Sequence, residues 1–589
     1  MLDLPLFLPL AQAKEPWLTT WLTPIWFLGM GIGLGLIALA VLVLLFRVLS
    51  FISPWQNLSS SPVGHVVAAV ISVALASGIW FFGFDQEITG KSELNEPLLI
   101  GISLLLLCSI VGWSFVFCSA RQPAKAAFST LTEGVSGYLG TTAVILVAIA
   151  GTIWGLGYVG FKPIVPDPTG AFASIPKVFS TGKGEKIAEI PAAPVDGDAP
   201  FTPVDLDIDF ELLESLSITT DRTVNLADAE DSLKFVRVPE RLGATETRSW
   251  NNKMPIEVLP VPYEDGTKLH IQNTEIDKAI VTISYKTTAP VPEARSLVIT
   301  AISVLLIGMT LLLQQAMAPR ASAVAHATVK NELAQPLFLV LMLLGVLAVV
   351  LYSFLSFNTF GEDIKLLKDC GITTIMLLAA FQGIWSASSS VSEEIEGKTA
   401  LTVLSKPIQR RSFVIGKFLG IFWVLMLMFV ILGSFELIAV AYKPIYDSKE
   451  ASGANPPTWN SCHLEMISTI PGLAMAFMQS VVLTAISVAL ATRLPQLANL
   501  AVCVAIYVVG NLTTSLVSST QEGFEIVKFV ASLIATIVPI LEHFSLQAAI
   551  DSGNKITMSL LSGSLIYCLL YVLVAMFLAL LLFEDRDLA

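Results

Sequence analysis

Four side chains of this chain sit where polar chemistry is costly. Gln382, Glu436, Gln479 and Asn511 each fall inside a different apolar run, and a polar group there costs up to roughly 3 kcal/mol unless it faces protein or water. They are the candidate lining of a substrate path. Plainer roles compete with that one. The three amides can hydrogen-bond between helices, and Glu436 is close enough to Tyr442-Lys443 to snorkel to an interface. The usual catalytic patterns are missing. His65, His270, His326, His463 and His543 are scattered, and neither H-E-x-x-H nor G-x-S-x-G occurs. Cys462, His463 and Met466 make a soft-metal set on paper, but three such residues gather by chance in a flexible loop more readily than by design. Residues 155–160, GLGYVG, spell a dinucleotide fingerprint yet end an apolar run and lead into Lys162-Pro163, whereas that motif joins a strand to a helix. Gly397-Lys398-Thr399 ends like a phosphate loop with Ser392 where the first glycine belongs. No catalytic residue, metal site or nucleotide cassette is expected in this chain.

These residues are held by elements read from composition. Of 589 residues, 54% are hydrophobic and 14% charged, with mean hydropathy +0.74, so the expected fold class is mainly α, a polytopic helical membrane protein. The net charge of -13 is concentrated in one polar block, 161–294, and no basic surface for nucleic acid is present. Apolar runs at about 21–46, 62–83, 97–118, 138–160, 296–318, 336–357, 370–391, 413–442, 466–492, 497–519 and 558–583 predict about eleven spans. Gly29, Gly31, Gly33 and Gly35 put small residues four apart on the first.

The block 161–294 breaks the pattern with proline runs and short alternating segments, including Val204–Phe210, Leu233–Val238, Lys268–Gln272 and Ala279–Lys286. It predicts an inserted β-sandwich-like domain. Asp205, Asp207, Asp209 and Glu211 alternate with apolar residues, which marks a solvated strand face and lacks the glycine turn of a calcium loop. The expected organisation is 1–160 with four spans, 161–294 β-rich, 295–318 a fifth span, 319–335 a helix on the membrane surface, and 336–589 a membrane core.

Short loops retain Lys and Arg on the cytoplasmic side. Arg47, Arg121, Lys125, Arg320, Lys330, the 393–411 stretch, Arg493 and Arg586 then share that side, with the C-terminus. The N-terminus and 161–294 fall outside, and Lys91, Lys365, Lys368, Lys443 and Lys449 dissent. MLDLPLFLPLAQA ends like a signal-peptidase site, yet it carries Asp3 and no basic n-region and is not read as a cleaved signal. Cys108, Cys118, Cys503 and Cys568 read as packing residues. Cys370 and Cys462 both map to outer span ends and form the candidate disulfide pair.

Between two apolar runs, residues 388–420 pass from Glu393, Glu394 and Glu396 to Lys398, Lys406, Arg410, Arg411 and Lys417. Gly397 can end the incoming helix, Thr399 can cap a short one through Leu404, and Pro407 stops it. A basic loop that only sets orientation is the plain reading. The pattern Glu393, Glu394, Glu396, Gly397, Thr399-Ala-Leu401, Leu404-Ser-Lys406-Pro407, Arg410-Arg411, Phe413 and Gly416-Lys417 resembles that of the type-2 ABC exporter permeases, loosely those serving nitrous-oxide reductase or multicopper enzyme maturation. The resemblance implies a coupling helix over 393–411, an elbow helix at 319–335, and a re-entrant helical pair at 524–548, broken by Pro539. It implies a permease subunit in the inner (plasma) membrane that binds no cofactor itself, while a partner ABC ATPase holds Mg-ATP. A second permease copy or a related permease, membrane lipid, and an extracytoplasmic partner for 161–294 complete the expected company. The competing expectation is a membrane-anchored interaction or sensory protein built on the same scaffold.

Overall fold

In a bilayer every backbone polar group must be satisfied within the segment, so long apolar runs fold as helices. The computed structural model describes residues 17–59, 61–83, 95–158, 168–194, 199–205, 212–227, 239–251, 269–355, 363–393, 409–450, 456–519, 529, 533, 538–545 and 557–584. Among them, ten helices are long and apolar enough to cross a membrane. They lie within α1 (Trp17–Leu49), α3 (Val63–Gly83), α4 (Asn95–Phe117), α6 (Val135–Tyr158), α8 (Ala294–Met317), α10 (Pro336–Phe354), α12 (Arg410–Glu450), α13 (Trp459–Ala491), α14 (Gln496–Ser519) and α15 (Met558–Glu584). Helices α2 (Ser53–Ser59), α5 (Arg121–Thr132) and α9 (Pro319–Ala334) connect them. The remaining expected span is α11 (Asp363–Ala387), 25 residues long but outside those ten. It opens with Asp363, Lys365, Lys368 and Asp369 and packs on α12 and α13, so its polar groups meet protein. Eleven crossings result only when α11 is counted.

The chain divides into two compact units, Met1–Val165 with Ile299–Ala589, and Pro166–Val298. In the first, glycines set how closely helices approach. A Cβ at Gly29 would strike Ala150 and the Leu146 carbonyl of α6, and one at Gly35 the Ala301 carbonyl of α8, so two faces of α1 serve two neighbours. Helix α9 is more than a surface helix. Ala321, Val324, Ala325, Thr328, Val329 and Glu332, a stripe of helical period, are all buried, and Gly416 and Gly420 of α12 fit against the stripe.

The second unit holds α7 (Pro168–Ser180) and eight strands: β1 (Lys183–Ile190), β2 (Thr202–Val204), β3 (Leu213–Thr220), β4 (Val224–Ala227), β5 (Glu240–Leu242), β6 (Thr247–Asn251), β7 (Leu269–Asn273) and β8 (Ala279–Thr287). They form two antiparallel sheets, ordered β1-β8-β3-β6 and β2-β7-β4-β5. One core unites Leu216, Ile218, Trp250 and Ile283 of the first with Val224, Leu226, Leu269 and Ile271 of the second, which makes a sandwich. Of the strand expected at 204–210, the described residues show Thr202–Val204, with Asp205 beyond its end. Residues 206–211 and 228–238, with Asp207, Asp209, Glu211 and the expected strand Leu233–Val238, lie outside the described residues.

Candidate functional site

Helix α11 runs into a single π-helical turn, Ser388–Glu393, a widened geometry that is uncommon and needs outside support. Asn499 of α14 supplies it. Its Nδ2 donates to Ser388 Oγ at 2.8 Å, Ser487 Oγ at 2.9 Å and the Ser487 carbonyl at 3.2 Å. All three residues are fully buried. A second buried chain joins α9 to α11: Gln382 Nε2 donates to Ser386 Oγ at 2.9 Å, and Ser386 Oγ donates to Glu332 Oε2 at 2.5 Å. Gln382 Oε1 has no partner. The turn that enters the 393–411 stretch is therefore held from α13 and α14, and the last turn of α11 before it from α9. Asn499 and Glu332 were missed in the sequence, although Asn499 carries the same signal, an amide inside an apolar run, that singled out Asn511.

Beyond Glu393, which closes the π turn, the residues Glu394, Glu396, Gly397, Leu401, Leu404, Lys406 and Pro407 and the short helix expected there lie outside the described residues. Gln409 is the next described residue. Arg410 and Arg411 are exposed at the start of α12, and Arg410 Nη1 donates to the Glu584 carbonyl at 3.0 Å. A cation at the last carbonyls of α15 satisfies groups the helix leaves open. Phe413 stacks on Phe583 at 5.9 Å, and Lys417 lies 5.5 Å over the Phe413 ring. The exit of the stretch is tied to the end of α15.

Only two of the four polar candidates meet. Gln479 Nε2 of α13 reaches Asn511 Oδ1 of α14 at 3.4 Å, a long hydrogen bond between helices. Gln382 belongs to the α9–α11 chain. Glu436 does not snorkel: it is fully buried, and neither carboxylate oxygen has a hydrogen-bond partner. Gly371 of α11 faces it, leaving no space for a side chain there.

Three of the dissenting lysines carry their own compensation. Lys368 Nζ pairs with Glu465 at 2.5 Å and donates to Ser468 at 2.7 Å, Lys443 pairs with Asp447 at 3.0 Å, and Lys449 lies 4.7 Å over the Trp17 ring. Cys370 and Cys462 are not bridged, and all six cysteines are free thiols. Cys462, His463 and Met466 are buried in α13, where His463 packs on Phe27 at 5.4 Å. No cluster of three metal-ligating residues exists among the described residues.

Residues 353–588 match the family model described as ABC-2 family transporter protein. This region is an ABC-2 transporter membrane domain. No curated protein matches the chain. The chain is a multi-pass membrane protein, and over residues 353–588 it is similar to the membrane subunits of ABC transporters, a family that works with an ABC ATPase subunit. The match begins at the end of α10, so α9, the helix expected as an elbow, precedes the ABC-2 domain while packing on its helix α12. The segment expected to be re-entrant is described only in part. Its Leu541–Phe544 turn docks between α14 and α15, where the Ile540 N–H donates to Tyr567 Oη at 3.0 Å, Ser564 Oγ donates to the His543 carbonyl at 3.3 Å, and Gly510 abuts Leu541.

Proposed function

We propose that the ABC-2 domain is one half of an ATP-driven exporter, completed by a second copy or a related permease, and that residues 393–411 are its coupling helix on the cytoplasmic face. A partner ATPase would grip that helix, with Leu401 and Leu404 as apolar anchors and Lys406 and Arg411 as charged rim. Arg410 has a second duty at the end of α15. ATP binding and hydrolysis take place on the partner, and this chain moves. The supporting observation is the burial of the two flanking helices. Displacement of 393–411 acts directly on α11 and α12, which lie at the centre of the bundle, and the π turn held by Asn499 is the joint between stretch and lever. Elbow helix α9, bound to both levers through Glu332 and the Gly416–Gly420 contact, moves with them.

Co-purification tests this reading. The wild-type chain should bring down a soluble ATPase carrying a phosphate loop, and Leu401→Asp with Leu404→Asp should release it while the membrane subunit elutes normally. Failure of the wild type to retain any ATPase refutes the coupling role. An ATPase retained with no substrate moved in vesicles favours the sensory scaffold instead.

A further inference from the structure

A groove of about 750 Å³ lies among α1, α5, α6 and α8, with Val430 of α12 as its one contact with the coupling levers. That volume lies within the range of ligand sites, roughly 300–1,000 Å³. Its walls are aliphatic: Leu36, Leu39 and Val43 of α1 face Leu139 and Ala143 of α6 and Ile307 of α8. The lining of α6 runs from Ser136 to Leu146, about 15 Å at the helical rise. That is one leaflet of a hydrocarbon core about 30 Å thick. The floor is open at Gly140, where an added Cβ would meet nothing within 4 Å.

The charges lining the groove are of one sign and at one end. Arg47 from the last turn of α1 and Lys125 from α5 stand at its mouth, both exposed, and no acid lines it. Helix α5 is fixed there because Ala124 and Ala127 pack with Phe46 of α1, while Phe128 projects outward, 73% exposed. An apolar slot one leaflet deep, capped by two cations, fits an amphiphile with an anionic head. Guanidinium and ammonium groups bind a phosphodiester through charge-assisted hydrogen bonds.

We propose that this groove is a binding site for an anionic glycerophospholipid, with an acyl chain along α6 and the phosphate between Arg47 and Lys125. All of its lining except Val430 lies outside residues 353–588. The test uses the full-length protein in detergent, stripped of lipid and titrated with phosphatidylglycerol, phosphatidylcholine or inorganic phosphate, read by native mass spectrometry and thermal unfolding. Phosphatidylglycerol should bind in preference to phosphatidylcholine and raise the unfolding temperature, and inorganic phosphate should do neither. Arg47→Gln with Lys125→Gln should weaken phosphatidylglycerol about 25-fold, each basic residue near a charged headgroup being worth about five-fold. Gly140→Phe should displace both lipids. Both cations are exposed, so the double variant keeps the core, and its elution profile verifies the fold. Equal binding of the two lipids, a double variant that keeps the preference, a Gly140→Phe chain that keeps the lipid, or stabilisation by phosphate alone would each overturn the site.

Discussion

The central helices and the N-terminal spans are built on different rules. Helices α12 and α13 bury 61% and 72% of their most apolar stretches, whereas α1, α3 and α6 bury 22%, 22% and 17%. A peripheral span meets lipid on most of its surface, and hydropathy alone is enough to place it. A central span meets other helices. Lipid tails are as apolar as leucine, so close contact there depends on small residues and polar pairs. Gly416 and Gly420 against α9, Ser386 with Glu332, and Asn499 with Ser388 and Ser487 are the consequences.

The contrast breaks most visibly at glycine. A Cβ at Gly416 would lie 2.6 Å from the Ala321 carbonyl and 2.6 Å from Val324, so Gly416→Leu should destabilise the bundle by about 3 kcal/mol, the upper range for overpacking. Gly151 of α6 has nothing within 4 Å, and Gly151→Leu should stay within about 0.5 kcal/mol. Thermal unfolding followed by size-exclusion fluorescence compares them, and equal losses would erase the distinction. A smaller effect is expected at the polar pairs. Asn499→Ala removes three donated bonds to Ser388 and Ser487 and should cost about 1.5 kcal/mol, near the top of the membrane range. Glu436→Gln, at a buried carboxylate without a hydrogen-bond partner, should shift unfolding less than Asn499→Ala does, because no hydrogen bond is lost.

The smallest expected effect belongs to the sandwich. Glu275 accepts the Thr223 N–H at 3.0 Å and pairs with Arg222 at 3.3 Å, and the Thr223 bond, with help from Arg222, holds its carboxyl below the usual value. Its contribution to stability is therefore complete above the unfolded carboxylate pKa and fades as pH falls through the lower folded one. In full-length protein, Glu275→Gln should lower the unfolding temperature slightly at neutral pH and flatten its acid limb, so that variant and wild type converge at low pH. A variant with the same acid limb would show that this carboxyl is no factor.

Legibility in the sequence followed the same division. Peripheral spans were read to within a few residues because lipid-facing helices are uniformly apolar. Helix α11 was read as a span although its charges keep it outside the most apolar set, and the packing of α9 was hidden because alanine and threonine give a weak apolar stripe. In the sandwich, β8 followed from its alternation, whereas β1, Lys183–Ile190, was missed. Its outer residues Lys183, Glu185 and Glu189 are joined by an exposed Ile187, which blurs the alternation, and Gly184 is covered by the ring of its cross-strand partner Tyr285, a contact no local pattern reveals. Of the candidate path, Gln479 and Asn511 were found as single residues. Their pairing, and the part played by Glu332, depend on which helix faces meet, information that belongs to the tertiary fold.

The coupling claim is tested most directly by Lys406→Cys in a chain whose six native cysteines are replaced, treated with a membrane-impermeant thiol reagent from each side and then with a short cross-linker in the presence of the ATPase. The account predicts labelling from the cytoplasmic side only and a cross-linked ATPase whose yield changes with ATP. Labelling from the outer side alone would contradict it.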